Sequence, residues 1–260
     1  MKIDCVLTAS NLSPLYCEFI PIFIKMWNKL VPEADVIIIL IANEIPPKYL
    51  KYSKNIILFR PLEGVKTEFI SQYIRCLYPS ILKYSGGILI TDMDMLPMNR
   101  SYYVDNIAQI PDSKFIYYRD VLLDDQQIAI CYNIATPATW RQVSNIFTLE
   151  GVTSRLLERY SQISYDGIHG GYGWATDQLD LFKNVMTWSL VSNHFISLQD
   201  HTSGYRRLDR GEMPQFSEHE KLLIQSGGYS DYHALRPFSS FENENEEICH
   251  LILNSNHLAK

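Results

Sequence analysis

Short, largely apolar runs alternating with segments of helical period constrain this chain more than any other feature. Residues 3–7, 36–41, 56–59 and 88–91 are rich in Ile, Val and Leu and bounded by polar or turn-forming residues. Runs of that length and character read as strands buried on both faces. Between them, residues 13–30 begin with Ser-Pro, as helices often do, and residues 68–83 form the second helix candidate. Pro46-Pro47 closes the second strand and Gly86-Gly87 precedes the fourth. Strands alternating with helices build βαβ units, so the expected fold class is α/β, with a mostly parallel central sheet flanked by helices.

After residue 110 the pattern loosens. Residues 114–118 and 127–132 are expected as strands, and 137–147, 154–163 and 177–185 as helices. A glycine-dense loop spans 166–173, and an acidic, then apolar tail over 242–248 is expected as a surface helix. No repeat, linker or composition break divides the chain, so one domain over 1–260 is expected. Its first half is 1–100, and 101–260 is the second half with a C-terminal helix.

Composition narrows the function. Of 260 residues 47% are hydrophobic, which excludes disorder over most of the length. A net charge of −6 argues against a nucleic-acid partner, whose binder would be basic. Five scattered cysteines without a CxxC pair suggest buried thiols in a reducing compartment. The start of the chain lacks the signature of a secretory signal, and the longest apolar stretch, 36–42, is far short of the ~20 residues that span a bilayer. The expected location is therefore cytoplasmic, with docking at a membrane periphery and the oligomeric state left open.

The sharpest chemical signal is Gly87-Ile-Leu-Ile-Thr-Asp92-Met93-Asp94-Met-Leu-Pro97. Residues i and i+2 of an extended chain point the same way, so both carboxylates are expected on one side. They follow a parallel strand, at the end where open α/β sheets bind ligands. Two close carboxylates repel each other, and a divalent cation relieves that cost; oxygen donors suit Mg²⁺ or Mn²⁺. Two solvated acids at a strand end are the plainer alternative.

Four blocks in this order resemble a GT-A-fold glycosyltransferase, nearest in pattern to family 8, the glycogenin-like and bacterial galactosyltransferase group. They are Cys5-Val-Leu-Thr8-Ala9-Ser10; Glu68–Pro79 with Arg75, running into the aspartate pair; Tyr132-Asn133-Ile-Ala135 with Trp140-Arg141; and Trp174-Ala-Thr-Asp177-Gln178-Leu-Asp180. The resemblance spans roughly 3–210. It implies an enzyme, a hexosyltransferase of glycan synthesis, moving a sugar from a nucleotide-diphosphate donor, UDP-sugar foremost, to an acceptor hydroxyl. Mn²⁺ or Mg²⁺ would assist.

Residue by residue, the resemblance puts Thr8, Ala9 and Ser10 at the base and ribose, with Met93 between the aspartates. Asp94 falls on the metal, and Asp92 on the metal or the ribose. His201 is expected to complete the coordination, with His194 as competitor. Arg206 beside it suits a phosphate-facing loop, because arginine forks bind phosphate. The family's later Lys-Pro-Trp element is absent. Arg75 either snorkels to the surface or pairs with the aspartates or donor sugar. Asp177 and Gln178 lie at an expected helix start, where either Thr176 caps and the dipole favours an acid, or the Asp177 carboxylate binds acceptor hydroxyls or takes the proton of the attacking one. Asn133, His169, Tyr172 and Trp174 are expected on the acceptor side, with the Gly-Gly-Tyr-Gly turn as a lid or simply a flexible loop. Asp120, Asp124 and Asp125 are expected in a solvated turn.

Two rivals remain. Residues 88–94 also resemble the nucleophile strand of a haloacid-dehalogenase-type phosphatase, where the first Asp attacks phosphorus. Against it, this strand is fourth and not first, Leu96-Pro97 breaks the pattern, and no later Gly-Asp-x-x-x-Asp occurs. A non-catalytic nucleotide-sugar-binding module is the other, since fold alone does not fix function.

Overall fold

The computed structural model describes residues 1–199, 204–212 and 217–255. The chain opens with β1 (Ile3–Ser10), α1 (Pro14–Cys17), α2 (Ile20–Leu30), β2 (Asp35–Ile41), β3 (Ile56–Phe59), α3 (Thr67–Leu77) and β4 (Gly87–Ile90). There follow β5 (Met95–Pro97), α4 (Arg100–Tyr103), β6 (Phe115–Tyr117), β7 (Asn133–Ala135), α5 (Pro137–Ser144) and α6 (Leu149–Ser161). The last described elements are α7 (Thr176–Ser192), β8 (Phe195–Ser197), β9 (Arg206–Asp209), α8 (Glu218–Gln225), β10 (Tyr229–His233) and α9 (Glu242–Leu253).

Seven strands form the main sheet in the order β3-β2-β1-β4-β7-β6-β8. The first four are mutually parallel, β7 is antiparallel to both β4 and β6, and β8 is parallel to β6. The mostly parallel α/β fold expected from the sequence is thus present. Strand alternation divides the core: Val6 and Leu89 face one buried cluster, and Leu7, Ile88 and Ile90 face the other. Burial on both faces is what the continuous apolar runs require. A second sheet, β5-β10-β9, stands beside the main one, with β10 antiparallel to β5 and parallel to β9. Among the described residues no helix is long and apolar enough to cross a membrane.

Several expected boundaries move, for local reasons. The helix expected over 13–30 divides into α1 and α2 because Pro21 has no N–H to donate and its ring excludes the carbonyl of Cys17. Pro79 acts likewise on α3, which gives way to a 3-10 turn at Tyr78–Ile81. Residues 127–132 are not a strand. Their backbone is bonded outside any ladder: Asn133 Nδ2 donates to the carbonyls of Ala129 and Ile130 at 2.7 and 2.9 Å, and Ala129 N donates to the Tyr117 hydroxyl at 3.1 Å. Helix α5 stops at Ser144, where Asn145 takes φ 54°, and α6 starts earlier than expected because Thr148 caps Gly151 N at 3.1 Å.

Chain order places the site. From β1 the chain runs outward through β2 and β3, then returns to set β4 on the other flank of β1. The crevice beyond the carboxyl ends of β1 and β4 is therefore the switch point at which open α/β sheets bind ligands. Trp140 of α5 holds β4 from behind: fully buried, it packs edge-on against Phe115 and donates from Nε1 to the Ile88 carbonyl at 3.3 Å. Trp140→Ala is expected to cost about 3–5 kcal/mol, as other buried aromatic truncations do. Urea unfolding followed by circular dichroism checks this, and a loss under ~1 kcal/mol would contradict the packing role.

Candidate active site

Beyond β1 and β4 lies a cavity of about 410 Å³. Ala9 and Ser10 line it from the end of β1, with Thr8 buried one position behind and its hydroxyl unpartnered among the described residues. Asp92, Met93 and Asp94 line it from the end of β4, and Arg75 comes from the last turn of α3. Asp177 and Gln178 enter from the first turn of α7, and His169 and Trp174 from the glycine-dense loop, their rings 4.9 Å apart. Sequence blocks more than a hundred residues apart thus meet at one crevice.

Helix α3 carries Arg75 inward because Phe69, Ile70, Tyr73, Ile74 and Leu77 form an apolar stripe of helical period against the sheet. The Arg75 side chain is 8% exposed, so it does not snorkel. Its Nη1 pairs with Asp92 Oδ1 and donates to the Thr91 carbonyl at 3.2 Å, while Nη2 lies 3.5 Å from Asp177 Oδ2. Burial pushes the Asp177 carboxyl up to about 6, against the opposing pull of Arg75. The same carboxylate accepts from Gln178 N at 2.9 Å, so capping and cavity-facing roles coexist. Thr176 does not cap α7: Ala175 holds that position, and the Thr176 hydroxyl donates to the Gly173 carbonyl at 2.7 Å.

The aspartate pair departs from the extended geometry that its spacing suggests. A turn closes over it, with Met95 N donating to the Asp92 carbonyl at 3.2 Å, and the two carboxylates engage different walls. Asp92 goes to Arg75. Asp94, whose side chain is 3% exposed, turns to the small sheet. Its Oδ2 lies 2.7 Å from Arg210 Nη1, 3.3 Å from Arg236 Nη1 and 3.5 Å from His233 Nε2. Burial opposes its charge, but His233, Arg236 and Arg210 overcome burial and hold the carboxyl far below the usual range. His233 is oriented in turn by Asp209, whose Oδ2 is 3.0 Å from Nδ1. Arg236 lies over the Tyr16 ring at 4.9 Å and donates to its hydroxyl.

Other expected residues lie elsewhere. Arg206 is exposed at the start of β9 and outside the cavity, which Arg210 and Arg236 line instead. Asn133 is buried and supports the 129–130 turn; only the turn reaches the cavity wall. Tyr172 is 79% exposed and does not line the cavity. His194 packs its ring against Trp188 at 6.0 Å, away from the cavity, and His201 lies outside the described residues. Three cavity residues, Arg210, His233 and Arg236, escaped the sequence reading. A signal for two of them existed: His233-Ala-Leu-Arg236-Pro237-Phe238 keeps a cation, a proline and an aromatic where Lys-Pro-Trp was sought.

Among the described residues no three His, Cys, Asp or Glu side chains stand close enough to hold an ion by themselves. Asp94 and His233 nevertheless offer an oxygen and a nitrogen 3.5 Å apart, a span that one ion with bonds of about 2.1 Å can bridge, and Asp92 lines the same cavity. Mg²⁺-type sites commonly use one or two carboxylates completed by substrate phosphates, so this set fits an ion that arrives with a diphosphate.

No family model matches this chain, and no curated protein matches it. Solved structures do. The galactosyltransferase LgtC, solved with donor and acceptor sugar analogues, is 11% identical over 97% of this chain and 96% of its own, with a TM-score of 0.50. An active-site mutant of LgtC gives 11% identity over 93% and 95%, with a TM-score of 0.48. The glycosyltransferase GlyE of Streptococcus pneumoniae TIGR4 gives 12% over 79% of this chain and 47% of its own, with a TM-score of 0.43. The likeness to LgtC establishes the architecture: this is a GT-A-like glycosyltransferase fold.

The raised Asp177 carboxyl sets a pH dependence. Between its ordinary value of 3.8 and about 6 the folded chain holds a proton that the unfolded chain has released, so this group's contribution to stability falls as pH rises through that window. Asp177→Asn removes the contribution. Thermal melts at pH 4.5 and 7.5 should show the variant gaining relative to wild type at the higher pH; an identical pH response in both would contradict the burial of this charge.

Proposed function

We propose that this chain is a glycosyltransferase that moves a sugar from a nucleotide-diphosphate donor to an acceptor hydroxyl, with residues 1–100 serving the donor and the remainder the acceptor. The observation that carries this reading is the convergence of Asp92, Asp94, Arg75 and Asp177 on one cavity at the β1–β4 switch point of a glycosyltransferase fold. The resemblance of these blocks to family 8 makes UDP-sugar the leading donor, and LgtC was solved with donor and acceptor sugar analogues.

The wall from β1, Ala9 and Ser10, is built of small side chains and leaves room for a base and ribose. Arg236 and Arg210 present guanidinium forks suited to diphosphate oxygens. Arg75, Asp177 and Gln178 form the wall for sugar hydroxyls, and the buried Oε1 of Gln178, unpartnered among the described residues, is an acceptor waiting for a donor group. Asp177, ionised at neutral pH, can accept a hydrogen bond or the proton of the attacking hydroxyl. His169 and Trp174 offer ring faces at the acceptor side. Asp94, His233 and Asp92 would hold Mn²⁺ or Mg²⁺, which supplies charge neutralisation for the departing nucleotide diphosphate.

Calorimetric titration with UDP, with and without Mn²⁺, tests the reading. Mn²⁺-dependent binding is expected, weakened at least ~10-fold by Asp94→Asn, in line with the sensitivity of metal sites to their ligand shell. Para-nitrophenyl phosphate turnover that is lost in Asp92→Asn, without nucleotide binding, would replace this reading with a phosphatase. Once a donor sugar is found by screening, Asp177→Asn should lower transfer by ~100-fold or more while changing donor affinity less, the range expected of a positioned acid–base group. Undiminished transfer would return Asp177 to a capping role.

A further inference from the structure

Asp94 is surrounded by more positive charge than one carboxylate balances. Two guanidinium groups and an imidazole converge on its oxygen Oδ2; the Asp94 side chain itself is buried, its three partners are partly exposed, and Asp209 offsets His233 from the other side. The two arginines are held differently. Arg236 is pinned by stacking on the Tyr16 ring and by its bond to the Tyr16 hydroxyl. Arg210 has neither. It projects from the short 3-10 turn Arg210–Glu212 after β9, and its hydrogen bonds among the described residues, to Asp94 at 2.7 Å and to the Ala234 carbonyl at 3.2 Å, both leave from Nη1. Its Nε and Nη2 donors therefore remain for a further partner at the cavity it lines.

Resting on the nucleotide-sugar reading, we propose that Arg210 is a donor-diphosphate residue stored on Asp94, and that its transfer from the carboxylate to the diphosphate couples nucleotide binding to divalent-cation binding. While Arg210 and Arg236 neutralise Asp94, a divalent cation approaching the same carboxylate meets two fixed positive charges and gains little. A diphosphate changes that balance, because Arg210 exchanges one anionic oxygen for others that accept its planar fork bidentately, and Asp94 then keeps only the pinned Arg236 and His233, so one positive charge fewer opposes a cation there. Neither ligand alone obtains the full interaction. Each raises the other's affinity by the same factor, as linkage requires.

The test uses the full-length protein with MnCl₂ and UDP as probes, each titrated alone and in the presence of the other. In the wild type, saturating UDP is expected to tighten Mn²⁺ by at least ~10-fold, within the 5–150-fold span common for coupled sites, and Mn²⁺ to tighten UDP equally. Arg210→Met should tighten Mn²⁺ alone, weaken UDP and shrink the coupling factor towards one. Circular dichroism and a thermal melt establish that Arg210→Met is folded, and a gain in metal affinity in the folded variant separates this role from a structural one. Arg210→Lys, which keeps the charge without the fork, should retain weak Mn²⁺ binding and part of the coupling, whether or not the Met variant folds. Independent binding of Mn²⁺ and UDP in the wild type, or unchanged Mn²⁺ affinity in a folded Arg210→Met, overturns the proposal. Failure of UDP to bind under any condition overturns the nucleotide-sugar reading beneath it.

Discussion

The buried guanidinium of Arg75 is the interaction on which the site depends. It ties the last turn of α3 to the end of β4 through Asp92 and to the first turn of α7 through Asp177, and so joins segments 17 and 102 residues away in sequence. Charges taken out of water are expensive, and a buried pair survives only when each partner satisfies the other. Here one cation serves two carboxylates, and the balance is uneven: Arg75 is held more firmly protonated than usual despite its burial, while Asp177 remains a weakened acid. Removing Arg75 would leave Asp177 buried without its ion-pair partner.

The second centre of charge is built by the small sheet. Pairing of β10 with β5 sets His233 opposite Met95, one residue after Asp94, and pairing of β10 with β9 sets His233 opposite Asp209. Register alone therefore brings a carboxylate, an imidazole and a second carboxylate into line, and the chain on either side delivers Arg210 and Arg236. The main sheet supplies the floor of the cavity and the small sheet its cationic wall. Tyr16, from α1, joins that wall to the β1 end of the cavity through Arg236.

This division explains what could be read from the sequence and what could not. The four parallel strands were legible because burial on both faces demands unbroken apolar runs, and their alternation with helices left one plausible sheet. The Asp92/Asp94 pair could be placed at the cavity from its spacing at a strand end, whereas Arg75 and Asp177 were drawn there by the family resemblance of their blocks. The cationic wall was not legible, because β5, β9 and β10 are three to five residues long, β5 ends in a proline, and β9 and β10 mix Arg, Asp, His and Tyr, so neither period nor hydropathy marks them. Short strands of that composition are defined by their partners in space. The strand expected over 127–132 fails for a related reason: the backbone bonds of this segment go to the Asn133 amide and the Tyr117 hydroxyl, and side-chain capping of this kind leaves no periodic trace.

The turn between the aspartates connects the two centres. Had residues 92–94 stayed extended, both carboxylates would have pointed one way and repelled each other. The turn closed by Met95 N instead sends each to its own cations, which lowers the repulsion between the pair. Anything that drew Arg210 away could re-pair the guanidinium but would leave the buried Asp94 with one cation fewer, so the turn, the carboxylate and its cationic partners stand or fall together.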